Sequence, residues 1–176
     1  GRTRDESAGD VFDNVAKLLG LGYPGGPIID RLARQGDRKG IAFPRPLLPG
    51  SWDFSFSGLK TSVLYYVQRN GAGRSKDICA SFQEAVVDTL VEKTLAAAAS
   101  TGAKSIVVGG GVAANSRLRQ AFAERSREPV LFPPPALCTD NGAMIARVAW
   151  RRLLAKRVPR RGAIDPSLAF ANWRIS

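Results

Sequence analysis

Apolar residues recur at helical spacing from the first segment. In residues 6–20 Val11, Phe12, Val15, Leu18 and Leu19 fall on one face, and Gly20 ends the run. Residues 22–27, GYPGGP, read as a turn, and Pro27 suits the first position of a short helix to Arg34. Residues 36–53 carry Pro44, Pro46 and Pro49 and predict a loop. Phe54 and Phe56 alternate with serines, a strand signal, before Leu59, Val63, Leu64 and Val67 shift to helical period. After a linker at 71–76, the strongest pattern spans 77–100. Ile78, Phe82, Val86 and Leu90 repeat every four residues with Val87, Val91 and Leu95 beside them, which predicts a long helix with a wide buried face.

The segment 105–119, SIVVGGGVAANSRLR, changes character within a few residues. The apolar run Ile106-Val107-Val108 predicts a strand over 105–109. Gly109, Gly110 and Gly111 follow, and then a helix pattern over 115–126 with Leu118 and Phe122. Glycine lacks a Cβ, so a ligand can approach main chain closely, and a helix N-terminus offers free N–H groups that favour phosphate. The same pattern also makes a tight turn with no ligand. A second strand is expected from Pro129 to Phe132, and Thr139 is expected to cap a last helix over 140–156. Strand–helix–strand–helix with short crossovers implies parallel pairing in an α/β layer. About three strands are visible, few for so many helices. That shortage, and a start close to a helix cap, predict a fragment whose missing part supplies sheet.

Composition narrows the functions open to the chain. Apolar residues make up 44% of its 176 residues, enough for a folded core. No window approaches the roughly 18 apolar residues of a membrane span, and the polar start GRTRDESAGD does not read as a signal peptide. Cys79 and Cys138 form no CxxC pair, which suits a reducing cytoplasm. Histidine is absent, which removes Ser–His triads and His-ligated metals from anything the chain does alone. The net charge of +11 favours a polyanionic partner, most plausibly nucleic acid. Arg147, Arg151, Arg152, Lys156 and Arg157 cluster without an intervening acid and form a candidate phosphate contact, or else a solvated basic face.

Four segments in order, ESAGDVFDNVAKLLGLGYPGGP, DFSFSGLKT, VVGGGVAANSRLR and CTDNGAMIA, resemble the carboxy-terminal half of the TsaD family of tRNA threonylcarbamoyl transferases. The resemblance covers most of residues 5–146. It implies an actin/sugar-kinase-like fold (ASKHA) of two α/β lobes around a cleft. On that basis the chain is expected to be a helix-rich α/β lobe with a small, mainly parallel sheet. Residues 1–50 would form a helical junction, 51–162 the carboxy-terminal lobe, and 163–176 a surface tail with Phe170 and Trp173. The implied reaction moves a threonylcarbamoyl group from threonylcarbamoyl-adenylate to the N6 amine of the adenosine beside the anticodon of tRNA. One iron or zinc ion contacts the transferred group. Expected partners are tRNA, a paralogous subunit, an ATPase subunit and the adenylate-forming enzyme, all in the cytoplasm, with no membrane.

The resemblance also implies roles by motif. Asp13 matches a ribose-binding aspartate; as a bare residue it reads first as a solvated helix acid. Gly26 matches a backbone contact to the nucleoside, or is a plain turn glycine. Gly110 and Gly111 give close backbone approach, and Asn115 matches a residue that reads the nucleotide, or is an ordinary N-cap. Asp140 matches the one metal ligand of this half, or is a first-turn acid complementing the helix dipole. Ser57 and Lys60 lie in a family signature without an assigned role, and no residue is assigned to catalysis. The family's paired metal histidines and its early glycine-rich phosphate loop are absent here. The 176 residues alone are therefore expected to hold no catalytic metal, turn over no substrate and leave an apolar interface uncovered. A non-catalytic basic module that binds RNA or protein is the alternative. An actin-like ATPase or sugar kinase would lack the FSFSGLKT and CTDNGAMIA segments. A protease fits worst, because neither HExxH nor a Ser–His or Cys–His pair is present.

Overall fold

The computed structural model describes residues 1–155. Residues 156–176, which include Lys156, Arg157, Phe170 and Trp173, lie outside the described residues. Two bodies are present: Gly1–Thr139, and a second that begins at Asp140.

Helix α1 spans Ala8–Leu18 and buries Val11, Phe12, Val15 and Ala16, the stripe read from the spacing. Ser7 accepts from the Asp10 N–H at 3.1 Å, while the Asp10 carboxylate accepts from the Ser7 N–H, a reciprocal cap. Helix α2 spans Gly25–Ala33, two residues earlier than the expected start at Pro27. The reason lies outside the segment: Asp13 Oδ1 on α1 accepts from the Gly25 N–H at 2.7 Å and caps α2. Pro27 falls in the first turn, where its missing N–H leaves no intrahelical bond unmade. The α1–α2 contact is close. A Cβ on Gly25 would sit 2.6 Å from the Phe12 carbonyl oxygen and 2.7 Å from Ala16 Cβ.

The strand expected at Phe54 and Phe56 reduces to one parallel bridge, Thr3 with Phe54. Among the described residues its backbone partner is the short segment 2–4, through Phe54 N–H to Arg2 O and Arg4 N–H to Phe54 O. Phe56 instead caps helix α3, Ser57–Asn70. Helix α4, Ser75–Thr101, begins inside the expected linker and ends at Gly102, whose φ of 62° is left-handed. From Ile78 to Val87 α4 is buried without a break, so it is enclosed on all sides where the spacing predicted one face.

Two apolar clusters meet along α4. Phe12 packs edge-on against Phe82 at 5.2 Å in the first, which also holds Val11, Ile29, Phe43, Phe56 and Leu59. The second gathers Val87, Val91, Ile106, Leu118, Ala121 and Phe122. The strands β1 (Ile106–Val107) and β2 (Val130–Leu131) pair in parallel, as expected, with Ile106 opposite Val130. They are shorter than the 105–109 and 129–132 predicted, and among the described residues they are the only two strands. Helix α5 spans Ser116–Arg125 between them. In the second body helix α6 spans Gly142–Leu154. Asn141, not Thr139, caps it: Asn141 is extended and its side chain accepts from the Met144 N–H at 3.2 Å. The described residues thus form a helix-rich α/β fold. No described helix is long and apolar enough to cross a membrane.

Replacing Gly25 by alanine forces α1 and α2 apart and should cost about 1–3 kcal/mol, a typical overpacking penalty. Gly26→Ala, with nothing within 4 Å of the new methyl, should leave the urea midpoint unchanged or slightly raised. A second expectation concerns acid. Asp77 is held below its usual carboxyl range by the Asp37 N–H and then Arg74, and Asp53 by the Arg2 N–H and then Arg4. Their stabilising contribution is present above the ordinary carboxyl value of 3.8 and disappears as pH falls through the lower folded values. Urea midpoints should be flat from neutrality down to that point and fall below it, with a shallower fall in Asp77→Asn.

Candidate functional site

The glycine segment leads from β1 into a 3-10 turn, Gly111–Ala114, and so to Asn115 and α5. Gly110 has φ 87°, a conformation that requires glycine. Gly109 and Gly111 do not, and a Cβ on any of the three would meet nothing within 4 Å. The segment is therefore bare backbone beside open space. Asn115 is 9% exposed. Its Oδ1 accepts from the Leu118 N–H at 2.9 Å, the N-cap bond, and its Nδ2 donates to Gln83 Oε1 at 2.8 Å.

The next two residues are anchored as well. The Ser116 hydroxyl donates to Asp30 Oδ1 on α2 at 2.8 Å. Arg117 Nε and Nη2 donate to the two oxygens of Glu84 on α4 at 2.7 and 2.8 Å, a planar two-point contact. Arg117 Nη1 reaches Glu124 at 3.0 Å. The Glu84 carboxylate lifts the Arg117 guanidinium above its usual range, and the Arg117 contact holds the Glu124 carboxyl below its own.

Helix α1 contacts the same 3-10 turn. The Asp13 carboxylate is fixed by its bond to Gly25, next to Gly26 in the same first turn. One turn before Asp13, Gly9 lies against Val112 of the 3-10 turn, with 3.9 Å between an added Cβ and Val112 Cγ2. Asp13, Gly26, Gly110, Gly111 and Asn115 thus belong to one body and to elements in direct contact.

Asp140 belongs to the second body, exposed and one residue before the α6 cap. Among the described residues no group of three or more His, Cys, Asp or Glu side chains is placed to hold a metal. One carboxylate falls short of the three or four ligands such a site needs, so the residues present do not fit a metal centre by themselves. Arg147 and Arg151 are exposed one turn apart on α6, and Arg152 is half-buried.

A family model described as TsaD, tRNA N6-adenosine threonylcarbamoyltransferase, matches residues 1–147. The chain belongs to that family. A relative from Thermotoga neapolitana bearing that name is 54% identical over 161 residues, 89% of this chain and 49% of the relative. Relatives of the same name from Geotalea uraniireducens and an Anaeromyxobacter species are 57% and 50% identical, over 83% and 99% of this chain and 45% and 54% of their own lengths. The chain spans about half the length of the curated relatives it matches.

Within this TsaD-family chain the FSFSGLKT segment has a structural role that its motif did not reveal. The Lys60 ammonium pairs with Glu6, and the Ser55 hydroxyl donates to Asp5, pinning the start of α1. Sequence reasoning passed over Gln83, Glu84 and Asp30, which anchor α5. For Gln83 and Glu84 the signal was present in FQEAVV, where two polar residues interrupt an otherwise apolar stretch. Cys79 is buried and its thiol is pushed up to about 11 by burial, so it is no thiolate nucleophile at neutral pH.

Arg117→Met takes from Glu84 its two short charge-assisted bonds and leaves the longer Arg125 and Arg38 contacts at 3.6 and 3.9 Å, so it should cost about 1–3 kcal/mol in denaturant unfolding. Arg34→Met, which removes an ion pair to Asp30 whose arginine is 65% exposed, should cost under about 0.5 kcal/mol.

Proposed function

We propose that the protein modifies tRNA, transferring the threonylcarbamoyl group from threonylcarbamoyl-adenylate to N6 of the adenosine beside the anticodon, and that this chain forms the nucleotide-holding lobe of an actin/sugar-kinase-like fold. The observation that carries this reading is the bare backbone at Gly109–Gly111, open on its free side and continuous with the capped start of α5. In the transfer, the N6 lone pair attacks the carbamoyl carbonyl carbon. A C–N bond forms, the C–O bond to the phosphate breaks, AMP leaves with the electron pair, and N6 gives up one proton.

The roles follow from the geometry of each group. One Asp13 oxygen is occupied by Gly25; the other accepts from the ribose hydroxyls, with the Gly26 backbone beside it. Gly110 and Gly111 admit the nucleotide to van der Waals contact with main chain. The Asn115 amide retains one N–H and one lone pair for the base. Asp140 contributes at most one oxygen to an iron or zinc ion, and no step is routed through it. Arg147 and Arg151 on α6 meet tRNA phosphates; Arg152 joins them, and Lys156 and Arg157 extend the same basic run in sequence. A paralogous subunit, an ATPase subunit and the adenylate-forming enzyme complete the system, in the cytoplasm.

The test uses protein at the full length of its relatives, supplied with the adenylate-forming enzyme and unmodified tRNA. Mass spectrometry should find threonylcarbamoyladenosine, and Asn115→Ala or Asp140→Ala should reduce it below detection. The 176 residues alone should yield none and retain no stoichiometric metal by elemental analysis. Tight tRNA binding without any modified nucleoside at full length would overturn the transfer reading in favour of a non-catalytic RNA-binding module.

A further inference from the structure

We propose that Gln83 is a positioning residue that sets how the Asn115 amide faces a bound base; the inference rests on the transfer reaction above. Gln83 is 3% exposed, midway in the stretch where α4 is enclosed on every side. A primary amide there is costly unless bonded, and its bond goes to Asn115: Gln83 Oε1 accepts from Asn115 Nδ2 at 2.8 Å. That contact ties the Gln83 side chain to the start of α5.

The contact has a directional consequence. An asparagine amide turns over readily when its neighbours are indifferent to which end is nitrogen. Here they are not. The Leu118 N–H requires an oxygen on one side, and Gln83 Oε1 requires a nitrogen on the other. The reversed amide would set donor against donor at Leu118, which no turn of the Gln83 amide relieves. Held at both ends, the plane of the Asn115 amide is fixed, and so are the directions of its remaining N–H and lone pair.

This role is separable from holding the fold. The two residues after Asn115 are tied independently, Ser116 to Asp30 and Arg117 to Glu84. The Arg117 pair joins the same two helices as the Gln83 bond, one residue along α4, and is charge-assisted. Loss of the Gln83 bond therefore leaves α5 docked while freeing the Asn115 amide to rotate.

The experiment measures steady-state kinetics of the full-length protein with threonylcarbamoyl-adenylate and tRNA, together with thermal midpoints. Gln83→Met keeps the volume and removes the acceptor. KM for the adenylate should rise about three- to tenfold, the loss of one buried hydrogen bond, with kcat little changed. Gln83→Glu keeps an acceptor at the same place, so its KM should return toward that of the unsubstituted protein even though a buried carboxylate lowers the midpoint. A Gln83→Met protein with unchanged KM, or a Gln83→Glu protein no better than it, overturns the assignment. Product from the unsubstituted protein alongside an indifferent Gln83→Met removes this inference alone. No product from the unsubstituted protein removes the transfer reading and this inference with it.

Discussion

The arrangement depends on one constraint: α4, enclosed on all sides from Ile78 to Val87, carries Ser81, Gln83 and Glu84 there and buries Thr89 and Lys93 beyond it. A buried polar group left unbonded costs about 1–3 kcal/mol, and more when charged, so each must find a partner. Thr89 bonds back to its own helix at Ala85 O. The other four reach outward, two to the loop of residues 36–53 and two to the start of α5. Ser81 accepts from the Ile41 N–H and donates to Asp37 O, Gln83 takes Asn115, Glu84 takes Arg117, and Lys93 donates to the carbonyls of Ser51 and Asp53. Apolar burial alone would allow these segments to slide over α4; the polar pairs permit one register.

That constraint matters most where the chain has least structure of its own. Gly109–Gly111 have no side chains with which to hold themselves, and β1 before them is two residues long with a single neighbour. Their placement comes from the far end, where three consecutive residues, Asn115 to Arg117, are anchored to α4 and α2. A backbone surface that recognises a ligand works best when it is rigid before the ligand arrives, because ordering it on binding would subtract from affinity.

What the sequence made legible follows the range of the interactions involved. The stripe Val11, Phe12, Val15 is a local pattern, and α1 was read correctly from it. The parallel pairing of β1 and β2 was readable from the order of elements. The start of α2 was not, because its cap, Asp13, lies twelve residues away on another helix. Phe54 and Phe56 alternate as a strand should, yet only segment 2–4 lies alongside them, and alternation cannot supply a missing neighbour. Thr139 and Asn141 are both good capping residues; the choice between them is made by backbone geometry at Asn141, which composition does not encode. The candidate site residues Asp13, Gly26, Gly110, Gly111 and Asn115 were found through motifs. Gln83, 32 residues from Asn115, and Glu84, 33 from Arg117, appear only in three dimensions.

The sequence posed Asp13 and Asn115 as alternatives, each either an ordinary helix residue or a ligand contact. The geometry makes the two roles compatible, and one supports the other. Asp13 caps α2 through one oxygen and Asn115 caps α5 through one oxygen. A capping bond consumes part of a polar group and, in doing so, fixes the rest of it in space. A freely rotating carboxylate or amide would have to be immobilised by its ligand, at an entropic cost of order 1 kcal/mol per side chain. Here helix formation has already imposed that order. In this chain the residues that begin two helices are thus suited to recognition because they are structural, and their capping role gives no ground for discarding them as binding groups.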